Sequence, residues 1–202
     1  MEYAIKQTAF LDILGFGTLV DNSASSPELT QTIFDVLSSI DPGKVHTDAF
    51  MQLNKVIIPP EELEEAIKIQ KLAAEGMHQQ WPIDVAYFSD SLVLSAENSN
   101  ACYNVLELIA SLIIRIWTDY GLLIRGGIAI DKLIHVKNGP IFGPAMNCAY
   151  YLESKYAKHP RVIIEPTAFE TLKKVDLYLN MSRLFSNDGD YVSINLASAM
   201  TT

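Results

Sequence analysis

Cys102, Val105, Leu106, Ile109, Leu112, Ile113 and Ile116 recur at helical spacing, and the run stops at Gly121. An apolar face that wide is stable only when another layer covers it. The covering layer is read as a sheet, because strand-type runs stand on both sides, over residues 84–95 (DVAYFSDSLVLS) and 122–135. The first of these reads as two short strands meeting at Ser89-Asp90, a β-hairpin with a polar tip. Residues 8–14 (TAFLDIL) and 161–165 (RVIIE) read as further strands, and YVSIN near the end as another. Between them, Ser26 and Pro27 suit the N-cap and first residue of a helix, with Leu29, Ile33, Val36, Leu37 and Ile40 on one face. Residues 139–143 are predicted to be a turn, and 144–157 a helix with Met146, Ala149 and Tyr150 toward the core. Strands and helices interleave around one sheet, so the class is α+β or α/β.

At 202 residues the chain is expected to form one domain, spanning 1–202. Its least legible part is the segment from about 44 to 80, where 49–58 has strand character. Pro60 then opens a charged helix that Gly76 is expected to end, its alternating charges read as a solvated face. With 24 acidic against 15 basic side chains the formal charge is −9, which argues against a nucleic acid polymer as partner. A small anion is still admissible where metal ions neutralise it. Cys102 and Cys148 form no disulfide or zinc pattern, and His46, His78, His135 and His159 have no ligand-type spacing. There is no G-x-S-x-G elbow for Ser/His/Asp hydrolysis. The first ten residues lack a signal-peptide block, and 105–117 is too short to span a bilayer and is broken by Glu107 and Arg115. A cytoplasmic protein without membrane attachment is expected.

Asp12 and Asp90 are the informative residues, since each interrupts an apolar strand context. If the two strands are neighbours, two carboxylates converge, and a divalent cation relieves their repulsion. Magnesium or manganese suits all-oxygen ligation with positions open for phosphate. Taken singly, each Asp also fits a turn or cap. Gly15-Phe16-Gly17-Thr18 follows Asp12 and offers main-chain N–H groups to a polyphosphate, or simply turns the chain. Asn147 and Tyr151, at i and i+4, share a helix face. Arg125 and Arg161 stand at strand starts, where they face an anion or make surface ion pairs.

Four segments in order resemble class III nucleotidyl cyclases. FLDILGF (10–16) resembles their first metal-ligand motif, and FSDS (88–91) their second metal-ligand hairpin. IRGGIA (124–129) is similar to the core strand that follows, and 143–154 resembles the helix bearing an Asn and, four residues later, an Arg. The match covers about residues 5 to 165. The resemblance implies an α+β, ferredoxin-like catalytic domain with a mixed, largely antiparallel sheet flanked by helices. It implies a homodimer with nucleotide between subunits and two divalent cations, Mn2+ or Mg2+, at Asp12, Ile13 and Asp90. It further implies nucleotide contacts at Gly15, Phe16, Gly17, Thr18, Tyr87 and Tyr151, and a ribose-orienting role for Asn147.

Three positions depart from the family pattern. Tyr151 stands where the family has its transition-state arginine, so Arg161, Arg125 or Lys155 must supply the charge or turnover is weak. Purine-reading members carry Lys and Asp where this chain has Ala86 and Pro140, neither of which can make those polar contacts. The hairpin, the RGGI strand and the run AYYLES with AKHPRV resemble the pyrimidine cyclases of bacterial Pycsar anti-phage systems. That likeness implies synthesis of cyclic UMP, or less readily cyclic CMP, from UTP or CTP, and a separate effector that senses the product. Tyr87 and Phe88 beside the second Asp offer aromatic surface for a small base. Two other readings are a cyclase-like module that binds nucleotide without turning it over, and a purine cyclase with unfamiliar base contacts.

Overall fold

The computed structural model describes residues 2–40, 59–80, 82–97, 101–176 and 178–200. The strand expected over 49–58 lies outside the described residues. In chain order the first half comprises β1 (Ala4–Leu14), α1 (Phe16–Ser23), α2 (Pro27–Ser38), α3 (Leu63–Gln80), β2 (Asp84–Phe88) and β3 (Ser91–Glu97). Then come α4 (Ala101–Tyr120), β4 (Leu123–His135), β5 (Ile141–Phe142), α5 (Pro144–Lys155) and β6 (Arg161–Ile164). The chain closes with α6 (Pro166–Leu172), α7 (Tyr178–Met181), β7 (Ser186–Asp188), β8 (Tyr191–Asn195) and α8 (Leu196–Ala199). The strands join one sheet in the order β2-β3-β1-β4-β6-β8-β7, with β5 paired to β4. Among the described strands only β4 and β6 run parallel, which requires a crossover, and α5 supplies it.

Side-chain alternation along β1 divides the two layers. Ala9, Leu11 and Ile13 enter the main core with Leu92, Leu94, Ile124 and Ile128, beneath α4. Phe10 faces the other way, into a second cluster with Val93, Ala129 and Ala149 of α5. By length and composition α4 could cross a membrane, yet it is the core helix, with Val105, Leu106, Leu108 and Ile109 fully enclosed. It ends as expected at Gly121, whose φ of 66° lets Gly121 N bond Trp117 O and Leu122 N bond Ile116 O. Gly127 lets α5 lie directly on β4, for a Cβ there would come within 2.6 Å of Leu152 Cβ.

Several boundaries differ from the sequence expectation. β1 starts at Ala4 instead of residue 8, because its early residues pair with both β3 and β4. The stretch after Gly15 folds into α1, anchored by buried Phe16. Gly76 does not end α3, which continues to Gln80, since one glycine costs a helix only about 1 kcal/mol. The expected turn over 139–143 contains β5, paired with Ile134 and His135. Glu165 leaves the strand to cap α6, accepting from Ala168 N at 2.7 Å.

Candidate functional site

Asp12 stands two residues before the end of β1, on the α5 side of the sheet, directly across from Ser91 of β3 and Arg125 of β4. Asp90 occupies the tip of the β2–β3 hairpin, where Ser89 takes a left-handed φ of 56° to make the tight reversal. Ile13 N donates to Asp90 O at 3.2 Å, which ties the tip to β1. The two carboxyl groups, far apart in sequence, thereby come close enough for each charge to act on the other. Burial raises the pKa of Asp12; Arg125 opposes this, and the Asp90 charge adds to it.

Arg125 binds this cluster together. Its Nε donates to Asp12 Oδ2 at 2.8 Å and also lies 2.8 Å from Glu153 Oε1 of α5, as an ion pair without hydrogen-bond alignment. Glu153 is only 4% exposed. Burial raises its pKa too, opposed by Arg125 and reinforced by Asp12 and Asp90. Two carboxyl groups, those of Asp12 and Glu153, therefore share one guanidinium, and Asp90 adds a third negative charge nearby.

The donor chemistry fits magnesium or manganese. Among the described residues no group of three His, Cys, Asp or Glu side chains has ligating geometry. The Asp12–Asp90 pair with the main chain at Ile13 is the sparse oxygen set that leaves positions for water and phosphate. Beside it α1 begins at Phe16, after Gly15 with φ 79°. Its first intrahelical bond runs from Leu19 N to Gly15 O, so the N–H groups of Phe16, Gly17 and Thr18 precede any intrahelical acceptor.

The remaining sequence-predicted residues lie elsewhere. Asn147 and Tyr151 are exposed on α5, beside Tyr150 and Ser154, and neither hydrogen-bonds to Asp12, Asp90 or Arg125. The Tyr151 ring packs edge-on to Tyr156, which packs in turn on Tyr191. Arg161 Nη2 donates to Tyr156 O at 3.2 Å, which puts this cation beside the same aromatic group. Lys155 is exposed at the end of α5. Tyr87 stands across from Leu92, on the opposite face of the sheet from Asp12; Ala86 and exposed Phe88 share the Asp12 face.

Sequence reasoning missed Glu153. A signal was present, because Ala145, Ala149 and Leu152 mark the buried face of α5, and position 153 falls beside it. A carboxylate there needs a partner, which proves to be Arg125.

No family model and no curated protein matches the sequence. Solved structures do. The adenylyl cyclase CyaB from P. aeruginosa superposes with a TM-score of 0.53 at 14% identity, over 96% of this chain and 94% of that one. The guanylyl cyclase domain of the RhoGC fusion protein from Blastocladiella emersonii gives 0.54 at 14%, over 97% and 96%. A class III adenylyl cyclase-like ATP-binding protein from Pseudomonas aeruginosa gives 0.54 at 10% identity, over 98% of this chain and 40% of that one. The fold is therefore that of class III cyclase catalytic domains, with a mostly antiparallel sheet flanked by helices.

Proposed function

We propose that this chain is the catalytic domain of a class III nucleotidyl cyclase acting on a pyrimidine nucleoside triphosphate, UTP before CTP. The observation that carries the reading is the Asp12–Asp90 pair, braced by Arg125 at a sheet end of the cyclase fold. In the reaction the ribose 3′-oxygen attacks the α-phosphorus, its proton leaves, and the bond to the bridging oxygen of pyrophosphate breaks. Two divalent cations, when bound, lower the pKa of that hydroxyl and neutralise triphosphate charge.

Asp12, Asp90 and the main chain of Ile13 hold those cations in this reading. The N–H groups of Phe16, Gly17 and Thr18 receive phosphate oxygens at the positive end of α1. Asn147 orients the ribose from the exposed face of α5, which in a homodimer serves the site of the partner subunit. Tyr151 brings no charge, and Arg161, held beside Tyr156, is the nearby cation for the phosphate. Ala86 and Pro140 present no polar group to a purine, which supports a smaller base. The aromatic group placed to meet that base is Phe88, with Tyr87 on the other face. The product acts as a cytoplasmic second messenger in anti-phage defence, read by a separate effector.

A second reading is favoured by Tyr151 and by the likeness to an ATP-binding protein of this fold: nucleotide held without turnover. The test is incubation of the purified protein and Mn2+ with each of the four nucleoside triphosphates, followed by chromatography. Cyclic UMP or cyclic CMP supports the proposal. Cyclic product from ATP or GTP alone assigns a purine cyclase instead, as the names of the neighbours would have it. Tight UTP binding without pyrophosphate release, unaffected by Asp12→Asn, establishes the binding module.

A further inference from the structure

Strand register sets Arg125 directly across from Asp12, which keeps its guanidinium within reach of that carboxylate. An arginine committed to Asp12 alone would cancel that carboxylate and repel a divalent cation arriving there. The structure relieves this with a second carboxylate. Glu153 stands at the same 2.8 Å from Arg125 Nε as Asp12 does. It is also nearly sealed from water, on a helix held against the sheet where Gly127 meets Leu152. Burying a carboxylate on the apolar side of a helix is costly unless its charge is used.

We propose that Glu153 is a positioning residue that draws part of the Arg125 charge away from Asp12 and so keeps the Asp12 carboxylate available to a cation. This rests on the metal assignment made above for Asp12. Asp12 keeps Arg125 as an orienting hydrogen-bond donor on Oδ2, and the cluster as a whole remains anionic. Glu153 touches neither nucleotide nor reacting atoms in this scheme and acts only through Arg125.

The experiment is titration of the nucleotide-free protein with Mn2+ alone, by calorimetry and by electron paramagnetic resonance of free Mn2+. Glu153→Gln is expected to weaken Mn2+ binding by about tenfold, because Arg125 then falls to Asp12 alone. Arg125→Gln is expected to tighten binding, and the double substitution to return it to the wild-type value or better. A purely structural role predicts otherwise, with the double variant no better than Glu153→Gln. That result overturns the proposal, as does Mn2+ affinity unchanged in Glu153→Gln while Asp12→Asn still abolishes binding. Should Glu153→Gln fail to fold, the double variant is compared with the wild type directly: Mn2+ affinity at or above the wild-type value supports the proposal, and a weaker affinity overturns it. Mn2+ binding that is absent in the wild type, or indifferent to Asp12→Asn, overturns the metal reading and this inference together.

Discussion

Asp12 and Asp90 are each restrained at the backbone, the first by pairing on both sides of β1 and the second by the Ile13–Asp90 main-chain bond. Replacing either carboxylate by an amide therefore removes charge and leaves the frame. Asp12→Asn and Asp90→Asn are each expected to lower turnover by about a hundred- to a thousandfold, the scale of lost electrostatic stabilisation. Folding stability should not fall, because burial already disfavours the Asp12 charge and Arg125 keeps Glu153 as a partner. Product formation and thermal unfolding check the two halves; wild-type turnover in either variant removes the metal assignment. Asp12 was legible in the sequence because a carboxylate within an apolar run needs a reason. For Glu153 only burial was legible, from its place beside the apolar face of α5; its partner is an arginine on strand β4, and no one-dimensional spacing relates the two.

The elements depend on a few close approaches. Without a side chain at Gly127, α5 rests on β4; a methyl group there would press on Leu152 and on the Ala149 carbonyl. Gly127→Ala is thus expected to destabilise the protein by about 1–3 kcal/mol, the usual cost of overpacking. It should also loosen the Glu153–Arg125 contact, which chemical denaturation and Mn2+ titration would register together. The β4–β5 hairpin folds back over the sheet, with Ile141 against Phe10 and Val93 and His135 Nδ1 2.8 Å from Ser95 Oγ. Burial lowers the pKa of His135 below its usual 6.5, with Asp84 opposing and Lys6 assisting. The unfolded chain then binds the extra proton first, so this group's contribution is complete above about pH 6.5 and is lost as pH falls. Asp12 and Glu153 have raised values, so their contribution runs the other way and grows as pH falls toward the ordinary carboxyl range. Urea midpoints measured from about pH 7.5 to about pH 5 should therefore decline less steeply in His135→Gln than in the wild type. Parallel profiles would detach His135 from the stability of the hairpin. At this scale the sequence announced α4, the β2–β3 hairpin and β4 clearly, since long apolar periodicities and a polar tip are local signals. It concealed α1, β5 and the true end of α3. α1 is held by buried Phe16, β5 by its partner strand, and α3 tolerates a glycine that reads as a stop.

Taken as one molecule, the chain divides the work of α5 between two faces. Glu153 reaches inward to the carboxylate cluster of its own chain, whereas Asn147 and Tyr151 look outward to solvent. Six residues of helix also separate Asn147 from Glu153, a rise of about 9 Å. If the outward face completes a site on another copy, catalysis needs two chains, and defects on the two faces must complement. Asp12→Asn and Asn147→Ala should each be inactive alone. Co-refolded in equal amounts, they should regain about a quarter of the wild-type rate, because random pairing makes half the dimers mixed and each mixed dimer holds one intact site of two. Dilution should abolish the regained activity as the dimers dissociate. Mixtures that stay as inactive as their parents would place Asn147 and the carboxylate pair in one chain's site, and α5 would then have to turn its exposed face inward before any nucleotide is cyclised.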